Sequence, residues 1–283
     1  EDKRNFGIDL GLFDNRIDLQ VDYFNNKRKD ILLQRNTVSN VTGFQQMPWQ
    51  NFGIVKNQGV DASLNLNYKV GEVNLSARGN FTFARNEILE YDQVPQVYPW
   101  LEKKGTRLNS WKLYIADGLY TADDFNITGE GLNRQYELKP GVVSGLSSGV
   151  RPGDIKYKDQ NGDGVINTSD YKIIGGTIPR YTFGLSLYGD YKGFDLSMLF
   201  QGVGKADGYI NGQGIQTFIE GGTVQEQHKD YWTTENRKAK FPRLAFNETN
   251  NMQNSSFWMK NAAYIRLKNV QLGYALPKNV LRK

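Results

Sequence analysis

Hydrophobic and polar residues alternate with a period of two along much of the chain. Phe6, Ile8, Leu10 and Leu12 are interleaved with Gly7, Asp9 and Gly11. After Asp14-Asn15 the pattern resumes in Ile17, Leu19, Val21 and Tyr23, interleaved with Asp18, Gln20 and Asp22. Successive side chains of a strand point to opposite faces, so this pattern on both sides of a short turn predicts a β-hairpin. Val60, Ala62, Leu64, Leu66 and Tyr68 form the first arm of a second hairpin. It turns at Gly71-Glu72 and returns through Val73, Leu75, Ala77, Gly79, Phe81 and Phe83. A third hairpin has Tyr181, Phe183, Leu185 and Leu187 on one arm, a turn at Lys192-Gly193, and Phe194, Leu196, Met198 and Phe200 on the other. Tyr264 to Leu267 leads into a last strand through Val270, Leu272, Tyr274 and Leu276, which meets Pro277. Seven strands are expected.

The connections alternate in length. The hairpin turns are a few residues long, whereas the segments 24–59, 84–180 and 202–263 are long. Structureless connections beyond about 12–15 residues are uncommon in compact soluble domains. Short turns at one end and long loops at the other are the layout of an outer-membrane barrel, and each strand has room for the ~9–11 tilted residues that cross a bilayer. Tyr23, Tyr68, Phe83, Tyr181 and Phe200 lie near strand ends, where an interfacial aromatic girdle belongs. The predicted fold class is all-β: an antiparallel transmembrane β-barrel fragment with short periplasmic turns and long extracellular loops. An odd strand count leaves an unpaired edge, so the fragment does not close by itself. The alternative is a soluble β-sandwich with one wet face. Against it, the apolar face admits Ala62, Ala77 and Gly79, and lipid accepts a ragged face more readily than a packed core does.

Composition agrees with a wet lumen and long loops: 13% aromatic, 30 glycines and only 39% hydrophobic residues in 283. No apolar run approaches the ~18 residues of a membrane-spanning helix, which bears on helices only. The absence of cysteine excludes disulfides and thiolate chemistry. A net charge of +5 comes from 35 basic and 30 acidic residues without a long block of either sign, so no nucleic-acid partner is expected. No signal peptide opens the chain at Glu1, and the sequence reads as an internal piece of a longer protein.

The sharpest local motif is the twelve-residue segment 159–170. Asp159, Asn161 and Asp163 place side-chain oxygens at positions 1, 3 and 5 of an EF-hand-type loop. Gly164 stands where the backbone turns sharply; Val165 offers a carbonyl, Asn167 reaches through water and Asp170 closes the shell. Hard oxygen donors at this spacing suit Ca²⁺. Asp at the closing position makes the loop resemble the dockerin type, and no amphipathic helix precedes it, so a structural ion is expected rather than a sensor. The competing reading is a metal-free turn in which Asn and Asp bond their own backbone.

Several stretches together resemble the SusC/RagA family of TonB-linked outer-membrane proteins. They are Pro152-Gly153-Asp154-Ile155-Lys156-Tyr157 leading into the calcium-like loop, Ile173-Ile174-Gly175, Tyr191-Lys192-Gly193-Phe194-Asp195-Leu196 and Phe200-Gln201-Gly202. Further on come Tyr231-Trp232-Thr233-Thr234-Glu235-Asn236, Phe241-Pro242-Arg243 and the run Tyr264 to Tyr274. Near the start, Val55 to Asp61 matches too. The resemblance implies residues 1–283 as part of one large plugged barrel, incomplete at both ends. The plug and the TonB-contacting segment would lie outside this chain, and 85–180 would be a long extracellular loop region. It further implies a bacterial outer-membrane location, contact with outer-membrane lipid, a SusD-like surface lipoprotein as partner, TonB as energy source, and oligosaccharide or peptide cargo. Trp49, Trp100, Trp111, Tyr114, Tyr120 and Trp232 are candidate ligand or partner contacts, with packing among the loops as the plainer role for each.

An enzyme is not expected. The single histidine, His228, lies beside Lys229 and Asp230 in a polar loop and reads as a surface residue. Asp123 and Asp124 have nothing to divide them into acid and base, and no phosphate-binding glycine loop opens a helix. The better rival is a soluble calcium-binding β-rich carbohydrate-binding module, whose apolar strand faces would be buried.

Overall fold

A computed structural model describes residues 1–276. In chain order the strands are β1 (Asp2–Leu12), β2 (Ile17–Gln34), β3 (Trp49–Val70), β4 (Val73–Glu90), β5 (Trp111–Tyr114), β6 (Ala116–Leu119), β7 (Phe125–Thr128) and β8 (Gln135–Leu138). They continue with β9 (Ile155–Tyr157), β10 (Tyr171–Ile174), β11 (Tyr181–Tyr191), β12 (Phe194–Gly204), β13 (Asp207–Tyr209), β14 (Met259–Asn261) and β15 (Tyr264–Tyr274). Pro277, expected to end the last strand, lies outside the described residues.

Seven strands pair antiparallel in one sheet, in the order β1-β2-β3-β4-β11-β12-β15. The register carries the apolar alternation across every pairing. Ile8 faces Val21 and Val21 faces Ala62; Leu19 faces Leu64; Ala62 faces Phe81 and Phe81 faces Phe183. Leu187 then faces Met198, and Met198 faces Val270. One face is therefore a continuous apolar band, and the other carries residues such as Asp22, Asp61, Ser63, Asn65, Arg78, Asn80 and Gln201. The band is uncovered among the described residues: Ile8 is 63% and Leu272 73% exposed. A soluble sandwich would bury these side chains under a second sheet, and no such sheet lies on them.

The turns have the chemistry their lengths demand. Lys192 and Gly193 both adopt positive φ (47° and 86°) between the paired Tyr191 and Phe194, the pattern of a two-residue type I′ hairpin. Near the other end of the sheet a bulge resets the phase. Leu199 pairs with Asn269 but Phe200 with Leu267, leaving Lys268 unpaired. That one extra residue keeps Ile265 and Leu267 on the same face as Val270 and Leu272, although their sequence spacing changes parity. Gly202 lies under the Phe183 ring and against the Tyr264 carbonyl, where a Cβ has no room.

The strands run further than the alternation predicts. β2 extends to Gln34 and β3 begins at Trp49, so the connection expected over 24–59 shrinks to 35–48. β4 runs to Glu90, so the excursion expected from residue 85 begins after it. The cause is again bulges: the register shifts between Arg28 and Ile31, with Asp30 at φ 57°, and between Ile54 and Val55. They break the period of two while main-chain pairing continues. Asp92 fastens the short connection to the end of β4. It accepts from the Thr37 hydroxyl at 2.8 Å, from the Asn36 and Thr37 amides, and pairs with Arg35. Burial opposes its charge, but these donors outweigh burial and hold the carboxyl at about 2.

The excursions 91–180 and 205–263 fold together at the end of the sheet opposite the hairpin turns. Three two-stranded sheets (β5 with β10, β6 with β9, β13 with β14) surround a core of Tyr114, Ile155, Tyr157, Ile166 and Trp258. A smaller core holds Tyr120, Phe125 and Val150, and a fourth two-stranded sheet, β7 with β8, packs on it. The two excursions are stapled by polar groups. Asp154, fully buried, pairs with Arg243 at 2.8 Å and accepts from the Asn251 amide at 2.7 Å. Asn250 donates to the Ile155 carbonyl at 2.8 Å, and Asn251 accepts from the Ile155 amide at 2.8 Å. Burial still pushes the Asp154 carboxyl upward against Arg243, so this charge has little water to fall back on.

Two outcomes follow for the parent protein. In a bilayer, Leu64→Arg puts a charge in the middle of the apolar band and should cost ~2–4 kcal/mol of barrel stability, whereas Ser63→Arg on the polar face should cost far less; unfolding in lipid vesicles distinguishes them. Arg243→Met strands the Asp154 carboxylate and should destabilise the folded excursions by ~3–5 kcal/mol, most of it recovered when Asp154→Leu is added. Limited proteolysis within 205–263 reads the loss.

Candidate functional site

The calcium-like loop leaves the core at Tyr157 and re-enters at Ile166, which is 4% exposed, so its exposed tip hangs between two fixed points. Gly162 and Gly164 adopt positive φ (76° and 82°), the left-handed backbone that lets the chain curl round its own carboxylates. Asp159 accepts from the Gly162 and Gly164 amides, each at 2.7 Å. Burial works against its charge, yet the backbone donors, Gly164 first, hold its carboxyl below the usual range. Asn161 accepts from the Asp163 amide at 3.2 Å, and Asp163 from the Val165 amide at 2.9 Å. Asn167 caps a short 3₁₀ turn by accepting from Ser169 at 2.8 Å. Asp170, fully buried, accepts from Gln160 at 2.7 Å and Asn167 at 2.8 Å.

The donors suit a hard cation in kind: three carboxylates, two amide oxygens and the Val165 carbonyl. Each carboxylate oxygen of Asp159 and Asp170 that takes one amide proton keeps a second lone pair. Their placement is looser than their chemistry. Among the described residues no three acidic or imidazole side chains converge at metal-holding distance. The local bonding is also what an Asx-rich turn makes by itself.

The candidate aromatics do not gather into one platform. Trp49 stands 63% exposed at the start of β3. Trp100 is half-buried; it stacks on Tyr98 at 4.7 Å and donates to the Ser169 carbonyl at 2.8 Å, while the Tyr98 hydroxyl meets Asn161 at 3.2 Å. These two rings therefore brace the calcium-like loop. Trp111, half-buried on β5, lies 5.9 Å from Tyr209. Tyr114 and Tyr120 are inside the cores, Tyr114 stacked on Tyr171 at 4.0 Å and Tyr120 donating to the Val143 carbonyl at 2.8 Å. Trp232 is 8% exposed and covers Gly153. Those three rings pack the excursions together and present little face to any ligand.

His228 is not the surface residue the sequence suggests. It is fully buried: Nδ1 accepts from the Gln225 amide at 2.8 Å and Nε2 meets the Ile215 carbonyl at 2.9 Å, so Nε2 carries the proton. Both nitrogens are occupied in holding the second excursion, and Phe241 packs edge-on against the ring at 4.8 Å. Polar neighbours in sequence concealed this, because the residues that bury it are distant along the chain. The Asp154–Arg243 staple joins the short Pro-Gly-Asp and Phe-Pro-Arg stretches, whose separation along the chain hides the pairing from any local pattern. In space they meet, with Arg243 donating its amide to the Gly153 carbonyl at 2.9 Å.

Known proteins place this geometry. TonB-dependent receptor P3 of Formosa agariphila is 28% identical over 297 residues, covering 99% of this chain and 27% of its own length. TonB-dependent receptor SusC of Bacteroides thetaiotaomicron is 24% identical, with 96% of this chain and 25% of SusC covered. The structure of the RagAB peptide transporter superposes with a TM-score of 0.67 at 24% identity, over 98% of this chain and 29% of that one, which speaks for the fold. The chain thus spans between a quarter and three tenths of these relatives. The family model described as TonB dependent receptor-like, beta-barrel matches residues 2–281. An all-antiparallel sheet with one uncovered apolar band, matched almost end to end by that model, makes this chain a member of the TonB-dependent receptor β-barrel family, whose place is the outer membrane.

Proposed function

We propose that this chain forms one side of the barrel, and part of the outer-surface loop structure, of a TonB-dependent importer that works with a SusD-like surface lipoprotein on oligosaccharides or peptides. The observation that carries the reading is the seven-strand sheet with a continuous apolar band, capped at one end by a folded unit made from two long excursions. A wall of this kind separates lipid from a polar lumen. The folded unit stands where cargo and a capping lipoprotein arrive. The work is binding and gated passage rather than bond chemistry, driven through TonB by parts of the protein beyond this chain. Trp49, exposed at the outer end of β3, and the half-buried Trp100 and Trp111 are the rings with area left for a sugar or a partner. The likeness to RagAB, a peptide transporter, supports peptide cargo; oligosaccharide is the other cargo class that the SusC/RagA resemblance implies.

In this reading the 159–170 loop holds Ca²⁺ as a structural ion, through Asp159, Asn161, Asp163, the Val165 carbonyl, Asn167 and Asp170. What supports it is the oxygen donor set, the two left-handed glycines and the bracing of the loop by Trp100. The ion would neutralise the clustered carboxylates and fix the outer surface of the excursions.

Cells lacking TonB should lose uptake of the labelled cargo, and the tagged parent protein should bring down a surface lipoprotein; uptake unchanged without TonB overturns the import reading. For the ion, Tb³⁺ bound to the parent protein should luminesce through excitation of the adjacent Trp100. Ca²⁺ should displace it, and Asp159→Ala should abolish the signal while leaving the barrel folded. Luminescence equal in Asp159→Ala and the parent protein removes the ion from this loop.

A further inference from the structure

Where β4, β11 and β12 leave the apolar band, three cations meet with a single carboxylate, and a fourth cation, Arg85, is near enough to act on Arg107. A cleft of about 440 Å³ is lined by Arg107, Arg180 and Lys205, with Asp207 as its one acidic group. Arg85 stands on β4 two residues beyond Phe83, on the same face as the band. The backbone fixes these positions: the Ala84 amide donates to the Arg180 carbonyl at 3.0 Å, and the Arg107 guanidinium donates to the Ile178 carbonyl at 2.6 Å and packs over Gly176.

The cations lack a countercharge. Arg107 keeps a carbonyl partner and Lys205 an aromatic face, but among the described residues none of the four makes an ion pair, and the Nε atoms of Arg107 and Arg180 are buried without a hydrogen-bond acceptor. Burial, then the Arg180 charge, pulls the Arg107 pKa down; Asp207 opposes this and Arg85 adds to it. Holding like charges together with buried, unpartnered Nε donors is costly unless an anion completes the set.

The place of the cleft indicates what that anion is. The Lys205 ammonium lies 5.5 Å over the Tyr181 ring, and Tyr181 packs on Phe83 and Phe81 at 5.2 and 5.9 Å. Those rings belong to the apolar band, at its outer border. In a barrel an aromatic edge marks the level where acyl chains give way to headgroups. Cations seated directly above it face headgroup phosphates, as basic pockets at membrane interfaces do elsewhere. We infer that this cleft, centred on Arg107, Arg180 and Lys205, binds a phosphate group of an outer-leaflet glycolipid. The inference rests on the reading that the apolar band faces lipid.

The test uses the full-length parent protein in phosphatidylcholine nanodiscs, with diphosphoryl lipid A as probe and native mass spectrometry as readout. Arg180→Gln/Lys205→Gln should retain lipid A roughly thirtyfold less than the parent, the scale expected for removing two interfacial cations. Both proteins should keep a heat-modifiable band on gels, which separates loss of the site from loss of the barrel. Equal retention by variant and parent overturns the inference, as does equal retention of fully dephosphorylated lipid A. Inorganic phosphate that displaces lipid A at equal concentration would make the ligand a free anion and overturn the lipid assignment. A parent protein with no heat-modifiable band would instead defeat the barrel reading beneath it.

Discussion

Backbone hydrogen bonding in lipid is the constraint on which this structure depends. A strand in hydrocarbon has no water for its amides and carbonyls, so each must find a neighbouring strand. The seven long strands pair antiparallel side by side, with bulges as the only breaks in register, hairpins as tight as Lys192-Gly193 on one side and excursions on the other. Once pairing is fixed, side chains have two destinations. Leu64, Ala62, Phe81 and Phe183 line up toward one, and Asp61, Ser63, Asn80 and Thr82 toward the other. The bulge at Lys268 shows how strictly this partition is kept: one residue leaves the ladder so that the apolar side chains on either side of it stay on one face.

Outside the band the rules of a soluble protein return. The excursions have small aromatic cores, short sheets and a buried ion pair, and they cohere because residues about ninety positions apart satisfy one another, as Asn250 and Asn251 do around Ile155. A pair such as Asp154–Arg243 adds little net stability relative to an apolar packing, but it rejects any arrangement that leaves one partner alone. It therefore serves to define how the two excursions meet. The calcium-like loop and the partly exposed Trp100 and Trp111 are carried on that unit, not on the barrel strands.

The sheet was legible in the sequence because alternation is local: Phe6 to Leu12 and Tyr181 to Leu187 declare their faces without reference to any partner. The strand extensions were not, since bulges near Asp30 and Ile54 break the period while pairing continues. Outside the bilayer both faces of a strand can be polar, so the signal fades there as well. The site was legible in part. The spacing of Asp159, Asn161, Asp163 and Gly164 identified a loop that curls on itself, whereas the burial of Tyr114, Tyr120, Trp232 and His228 depends on contacts that no local pattern records.

The central claim is that the uncovered face of the sheet borders lipid and the opposite face borders water. The chain contains no cysteine, so single cysteines at successive positions 60–67 of β3 can be spin-labelled without interference from its own residues. In the parent protein reconstituted into bilayers, collision with oxygen and with a water-soluble nickel complex reports each label's surroundings. The account predicts a period of two, with labels at 60, 62, 64 and 66 open to oxygen and those at 61, 63, 65 and 67 open to nickel. Labels on both faces equally open to nickel, or equally shielded from both reagents, would contradict it.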